Sequence, residues 1–559
     1  MELVQNNMVS RHFKLAIISL LNMFFLAWFA NSYSQELTTD EKIVLANLDS
    51  ALASGTYKAM PADAWLFYRS SDEANNRKAD AILNRFISLQ DSHAKSKTFG
   101  QWPWAEGGEI GDLNVALFRA HDMFRNLWEQ QSKMSASTRA NYIRSCQRLL
   151  EAAKQRWNTE VFDIGRDFVA YSNIFVLWIQ TLTLAGDRFN DDLLKMTAKG
   201  QWTRWYNHIS FFGIDEFASP TYNYVLFNAL LDIHDFCSDE QIQKETKEIM
   251  DHVYLLQSAL THPALKLPVC GISRDYRIFL KQADARSALL TADLAGYTPP
   301  DQAIEINTNR QYPFQVIGKA AINPFIFQSY QLDDAAMGSM TGGACFQQQI
   351  HCLAAVGKNE NERAVVFVQG SNTPVNGYTD QKGMTVLCVY NRLPALWHLT
   401  QWREDLSVYR ETFGEFGVGI SLNWEEKSAT SERIVLEAGG YDLFLFPFAM
   451  QNENLVPCQL IKKHRTSSSP RYHPRPLIFD EYVFPEQPDW FGVYVELAKI
   501  GQKVDNPQIE FAHVEGIKVF ETKKGHQIRL FIAEKGDTKQ LFNVDPALIP
   551  LLKFGQIGK

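Results

Sequence analysis

The chain changes its hydrophobic rhythm once, at Pro299-Pro300, and that change constrains its fold more than any other feature. Before it, apolar residues recur at the three-and-four spacing of amphipathic helices. After it, short β-branched and aromatic runs alternate with turn clusters such as Gly439-Gly440. A run of helices followed by a run of strands implies two domains, the second built from stacked antiparallel sheets. The periodicity predicts helices near residues 38–50, 72–89, 113–131, 135–157, 168–185, 190–205, 222–236, 239–260 and 274–294. It predicts strands near 364–369, 384–390, 416–423, 433–437, 441–446, 491–497, 509–511 and 527–532. Residues 168–185 are nearly all apolar, which suits an inner helix covered on both sides. That favours helical hairpins arranged as a ring with an inner layer. No exact repeat of solenoid type is present.

The N-terminus reads as an export signal over residues 1–34. Arg11, His12 and Lys14 precede an apolar run from Leu15 to about Ala30, and the small residues Ser32 and Ser34 suit cleavage before Gln35. A secreted or periplasmic protein is expected, with no membrane association after cleavage. The remaining 35–300 and 301–559 form the expected helical and β domains. A formal net charge of -8 argues against a general nucleic-acid binder. The 7 cysteines are scattered and lack metal-binding spacing. His351, His398, His464 and His473 show no H-E-x-x-H pattern, and no phosphate-binding or dinucleotide fingerprint occurs. No metal or cofactor is expected. Aromatic residues are 13% of the chain, enough to build a core and leave some to line a groove for sugar rings.

The densest cluster of site-forming groups lies in residues 202–224, W-T-R-W-Y-N-H-I-S-F-F-G-I-D-E-F-A-S-P-T-Y-N-Y. Gly213 and Ser219-Pro220 should break the helical pattern and leave a loop between two helices. Together with Asn173 upstream and Arg274 downstream, His208 and Tyr222 give an amide, an imidazole, a phenol and a guanidinium in chain order. That set suits β-elimination from a uronic acid. Proton abstraction beside the carboxylate builds negative charge, which an amide and a cation stabilise. An imidazole or phenol takes the C5 proton, and a phenol can protonate the leaving oxygen. A tyrosine ionises near pH 10 in water, so a neighbouring cation such as Arg274 is needed to favour phenolate. Expected substrate-binding groups are Trp102, Trp104, Trp205, Tyr206, Glu216 and Tyr276.

With its leader, W-P-W loop, ordered Asn, His, Tyr and Arg, and β-rich second half, the chain resembles the polysaccharide lyases built on an α/α toroid. That group includes chondroitin AC, hyaluronate, alginate and heparinase II/III-type lyases. Residues 330–350 (Y-Q-L-D-D-A-A-M-G-S-M-T-G-G-A-C-F-Q-Q-Q-I) are also similar to the opening strands of heparinase-type β domains. The resemblance implies an incomplete N-terminal (α/α) toroid followed by an antiparallel β-sandwich. It also implies an anionic polysaccharide as partner, with Asn173, His208, Tyr222 and Arg274 as catalytic residues. The local family motifs around the histidine and tyrosine are absent; E-F-A-S-P-T-Y stands in the tyrosine region. Two other readings remain open at this stage. One is a glycoside hydrolase pairing Glu106, Glu109 or Asp112 with Asp215 or Glu216. The other is an exported glycan-binding protein without catalysis.

Overall fold

The computed structural model describes residues 39–55, 57–70, 72–112, 114–158, 172–214, 219–272, 296–320, 325–342, 350–369, 375–392, 417–420, 423–467, 477–484, 490–532 and 538–541. The chain packs as two compact units. The first holds the chain up to Asn207, then Tyr224–Met250 and Leu290–Thr298; the second holds His208–Asn223, Asp251–Leu289 and Pro299–Lys559. The expected export signal and the helix expected at 274–294 lie outside the described residues.

The first unit is helical. Its described helices begin with α1 (Thr39–Ala53), α2 (Pro61–Arg69), α3 (Glu73–Ser88) and α4 (Val115–Ala120). They continue through α5 (Ala136–Asn158), α6 (Ser172–Arg188), α7 (Asp192–Phe212), α8 (Pro220–Phe236) and α9 (Glu240–Leu260), the last three shared with the second unit. Asp72 caps α3 by accepting from the Ala74 amide at 2.9 Å. The expected inner helix is α6, in which every residue from Ser172 to Gly186 is buried. The single long helix expected over 113–131 is instead three pieces. After α4 the chain widens into a π-helical turn, His121–Asn126, and then tightens into a 3₁₀ turn, Trp128–Lys133. No helix among the described residues is long and apolar enough to cross a membrane.

The second unit holds a two-stranded antiparallel ladder, β1 (Thr261–His262) with β2 (Leu267–Pro268), and then begins its continuous stretch with a short helix, α10 (Asp301–Thr308), that the strand pattern did not anticipate. Antiparallel sheets follow, confirming the α-then-β order. One has eight strands in the order β15-β16-β10-β7-β6-β5-β4-β3. Here β3 is Phe314–Ala320, β4 Phe325–Gln331, β5 Ala335–Gly342, β6 Ile350–Val356, β7 Ala364–Gln369, β10 Gly417–Ile420, β15 Ile461–Ser467 and β16 Leu477–Val483. The second sheet runs β11-β12-β13-β17-β9-β8, with β14 also paired to β13. Its strands are β8 Val375–Lys382, β9 Thr385–Arg392, β11 Glu425–Ala429, β12 Ile434–Ala438, β13 Tyr441–Gln451, β14 Asn454–Pro457 and β17 Trp490–Lys499. One core joins their facing sides, from Met337, Cys352, Val366 and Tyr482 on the first sheet to Cys388, Leu436, Leu443 and Val493 on the second. This is the expected sandwich. A four-stranded sheet (residues 509–541) packs through Phe520, Ile528 and Leu530 on the outer face of the second sheet.

The outer face of the eight-stranded sheet is covered by chain from 251–272. Leu256, Ala259 and Leu260 of α9 pack on Val316, Phe327 and Met340, and Leu265, Leu267 and Val269 pack on Leu353, Val365 and Phe367. The backbone lies directly on the strands. A Cβ at Gly338 would stand 2.4 Å from the Cys270 Cα, and one at Gly271 would stand 2.5 Å from the Met340 amide nitrogen. Only glycine admits this approach.

Candidate functional site

The expected helix end at Gly213 and helix start at Ser219-Pro220 are both present. Gly213 ends α7 in the left-handed conformation, φ 80°, with its amide bonded to the Ile209 carbonyl at 2.8 Å. Ser219 starts α8: its hydroxyl accepts from the Tyr222 amide at 3.3 Å, and Pro220 occupies the first helical position. His208 therefore sits in the last turns of α7 and Tyr222 in the first turn of α8, each half-buried. The His208 ring packs on Phe212 at 5.1 Å between centroids, and Phe212 packs on the exposed Phe211 at 4.8 Å. Both residues belong to the short segment His208–Asn223, which packs with the second unit. They present an imidazole and a phenol on either side of one short connection.

The other expected site residues divide. Asn173 lies in the first turn of α6 within the first unit and is buried. Glu216, Arg274 and Tyr276 lie outside the described residues, as does Asp215. Two of the expected sugar platforms are corrected: Trp102 and Trp205 are both 0% exposed. Trp102 stacks on Phe86 at 5.3 Å and donates its indole N–H to the Phe86 carbonyl at 3.2 Å. Trp205 packs against Trp202 at 5.5 Å. Their faces are spent on core contacts, so neither can take a sugar ring. Tyr206 is half-buried and donates to Glu248 at 3.2 Å, beside a Trp202–Glu245 hydrogen bond of 2.7 Å; together they fasten α7 to α9. Trp104 is the exposed member of the W-P-W loop, at 37%. Its ring is held by an indole N–H to Asp112 bond of 2.9 Å and by Phe118 at 5.2 Å. The indole is thus held in place while part of the residue remains exposed to solvent.

Two of the carboxylates of the hydrolase reading, Glu106 and Asp112, are engaged locally. Glu106 accepts from the Ala59 amide at 3.0 Å and from Arg85 at 2.9 Å. The Ala59 amide and the Arg85 charge hold its carboxyl below the usual range. Asp112 carries the Trp104 indole and the Asn114 amide.

Sequence reasoning missed a buried ionic network in the first unit. Asp232 of α8 is 0% exposed and accepts from His121 at 2.6 Å, from Gln180 and from Arg125. Arg125 also reaches Asp235 at 2.8 Å. Burial alone would raise Asp232, but the His121 and Arg125 charges and hydrogen bonds overcome it and hold the carboxyl at about 2. The π-helical turn carries both His121 and Arg125; its wide i→i+5 bond runs from the Leu127 amide to the Asp122 carbonyl at 3.0 Å. Nearby, Tyr57 donates to Asp63 at 2.5 Å. Burial pushes Asp63 up to about 7 against that hydrogen bond, and the Asp122 charge adds to the rise. Every one of these groups except Asp235 is buried, so the network fastens helices. Among the described residues no cluster of metal-binding side chains occurs.

The molecule is thus a helical unit followed by a β-sandwich, with an imidazole and a phenol flanking one helix–helix connection. No protein-family model matches the chain, and no curated protein matches it. Solved structures do. A heparan sulfate lyase HepC mutant from Pedobacter heparinus aligns over 92% of this chain and 85% of its own, at 10% identity and a TM-score of 0.32. The Streptomyces coelicolor A3 chondroitin AC lyase in complex with chondroitin sulphate aligns over 92% and 88%, at 8% identity and a TM-score of 0.45. A mutant of that chondroitin AC lyase aligns over 93% and 91%, at 8% identity and a TM-score of 0.39.

Proposed function

We propose that this chain is an exported polysaccharide lyase that cleaves an anionic, uronate-containing polysaccharide by β-elimination. The observation that carries the reading is the placement of half-buried His208 in the last turns of α7 and half-buried Tyr222 in the first turn of α8. Elimination needs a proton acceptor at C5 and a proton donor at the leaving oxygen, and an imidazole with a phenol supplies both. In the proposed reaction Tyr222 transfers protons and His208 polarises the uronate or shares the base role. Arg274 neutralises the uronate carboxylate, so that the charge developing beside C5 is stabilised. Asn173 is buried, so the proposal gives it the task of orienting neighbouring groups. Trp104 supplies a sugar-stacking face. Two carboxylates of the hydrolase reading are engaged locally, Glu106 by Ala59 and Arg85 and Asp112 by Trp104.

The test is a screen of alginate, glucuronan, ulvan, pectate and glycosaminoglycans for unsaturated product absorbing at the ultraviolet edge. One polymer should yield it. Tyr222→Phe should abolish turnover while leaving folding and substrate affinity in place. Saturated reducing ends, or undiminished turnover in Tyr222→Phe, would overturn the reading.

A further inference from the structure

Strand β6 carries one residue too many at its start. Ile350 pairs with Gln369 and Cys352 with Val368, adjacent residues of β7, so His351 is the extra residue of a β-bulge. The bulge resets the side-chain alternation. Ile350 and Leu353 face the outer cover, whereas Cys352 and Ala354 face the core between the two main sheets. His351 turns toward the second sheet as well. Its ring meets Tyr390 of β9 in a T-shaped contact, 5.3 Å between centroids, and lies against Gly377 of β8. A Cβ at Gly377 would stand 2.3 Å from the ring Nε2. His351 is 1% exposed, and neither ring nitrogen has a hydrogen-bond partner among the described residues.

An imidazole placed this way tolerates burial only while it is uncharged. A bound proton would put a cation into the seam between the sheets with no counter-charge. The titratable side chains of that core on β6 and β9 are Cys352, Cys388 and Tyr390, two thiols and a phenol. From β8 the inward groups are Gly377, Thr379 and Gln381; the Thr379 amide bonds the Thr341 hydroxyl of β5 at 2.9 Å, and Gln381 bonds the Met337 carbonyl at 2.9 Å. Strands β5 and β7 contain no titratable side chain. No carboxylate is among these groups. Burial is the one cause acting on the His351 ring, and it lowers the imidazole from its ordinary 6.5 to about 3.

We propose that His351 is an acid-sensitive latch between the two main sheets: uncharged, it lets β8 close over the bulge of β6, and protonated, it forces the two strands apart. The contact that yields is the one with Gly377, where the ring edge meets backbone. The Thr379 and Gln381 bonds to β5 lie next along β8 and open with it. The sign follows from the direction of the shift. The closed form holds the imidazole at about 3 and the open, hydrated form at the ordinary 6.5, so the latch is at full strength above 6.5 and weakens as pH falls toward 3. Within that window each pH unit multiplies the opening constant about tenfold, so opening at pH 4.5 is favoured about 100-fold over neutral pH.

The first test uses the unaltered full chain. Exchange of the imidazole C2 hydrogen for deuterium, mapped by mass spectrometry over a pH series, reads each histidine separately. His351 should exchange slowly, with its midpoint below about 4.5; a midpoint near the ordinary 6.5 would overturn the proposal. The second test follows backbone amide exchange in the peptides of β6 and β8, corrected for the intrinsic effect of pH on exchange. The opening constant should rise about 100-fold from neutral pH to pH 4.5 in the unaltered chain and stay nearly level in His351→Leu and His351→Gln. No rise in the unaltered chain, or an equal rise in both variants, would overturn the latch. The histidine measurement decides the matter even where neither variant folds. Both outcomes are independent of whether the chain cuts any polysaccharide.

Discussion

Arg125 offers a controlled comparison, because one guanidinium meets two carboxylates in different surroundings. It bonds Asp232, whose side chain is fully buried, and Asp235 at 2.8 Å, whose side chain is 33% exposed. Replacing Asp232 with Ala strips the counter-charge from buried Arg125 and His121 and leaves the Gln180 amide without that acceptor. Breaking a buried pair from one side costs about 3–5 kcal/mol. With a urea slope of roughly 2–3 kcal/mol per M, the helical unit's midpoint should fall by roughly 1–2.5 M. Replacing Asp235 with Ala removes a solvent-facing partner and should cost about 0–1 kcal/mol. Urea titrations followed by far-ultraviolet circular dichroism would read both. Acid should reproduce the Asp232 effect. Its folded value of about 2 lies below the usual carboxylate value near 3.9, so its stabilisation is complete above that value and lost as pH falls through about 2. Equal costs for the two substitutions, or an Asp232→Ala loss under about 1 kcal/mol, would refute the assignment of Asp232 as the buried counter-ion.

Asp63 should show the opposite pH sign: with a folded value of about 7, its favourable protonated form is complete below pH 4 and lost as pH rises through 7. Asp63→Asn should therefore flatten a loss of roughly 4 kcal/mol across that window, checked by chemical denaturation at a series of pH values. Gly338→Ala should cost about 1–3 kcal/mol, because the new Cβ meets the Cys270 backbone at 2.4 Å, whereas Gly111→Ala, with nothing within 4 Å, should be near neutral by thermal melting. Trp104→Ala should raise KM on the polymer that proves to be substrate while leaving kcat and the melting temperature nearly unchanged; a fall in kcat alone would assign Trp104 elsewhere.

The helices with one apolar face were legible because their periodicity is local. The Ser219-Pro220 start and the Gly213 stop were legible because caps and left-handed glycines are properties of one or two residues. Helix α2 was missed because Pro61 to Tyr68 are all buried, which erases the amphipathic stripe; Pro61 at its first turn was the remaining signal. The π-helical break was not legible. The turn carries His121 into a bond with Asp232 spanning 111 residues, a tertiary contact that a local pattern reading as continuous helix does not contain. The W-P-W loop shows the same limit at close range. Trp102 and Trp104 carry identical rings two positions apart, yet only the fold decides that one is core and the other faces water.

The cover that residues 251–272 lay over the eight-stranded sheet has a practical consequence for anyone dissecting this molecule. A fragment beginning at the diproline would carry every main strand but bare the apolar flank around Val316, Phe327, Leu353 and Phe367, inviting aggregation. The complementary fragment would end in a greasy ribbon with nothing to lie on. Halves intended to be soluble by themselves would need that ribbon grafted back onto its own sheet.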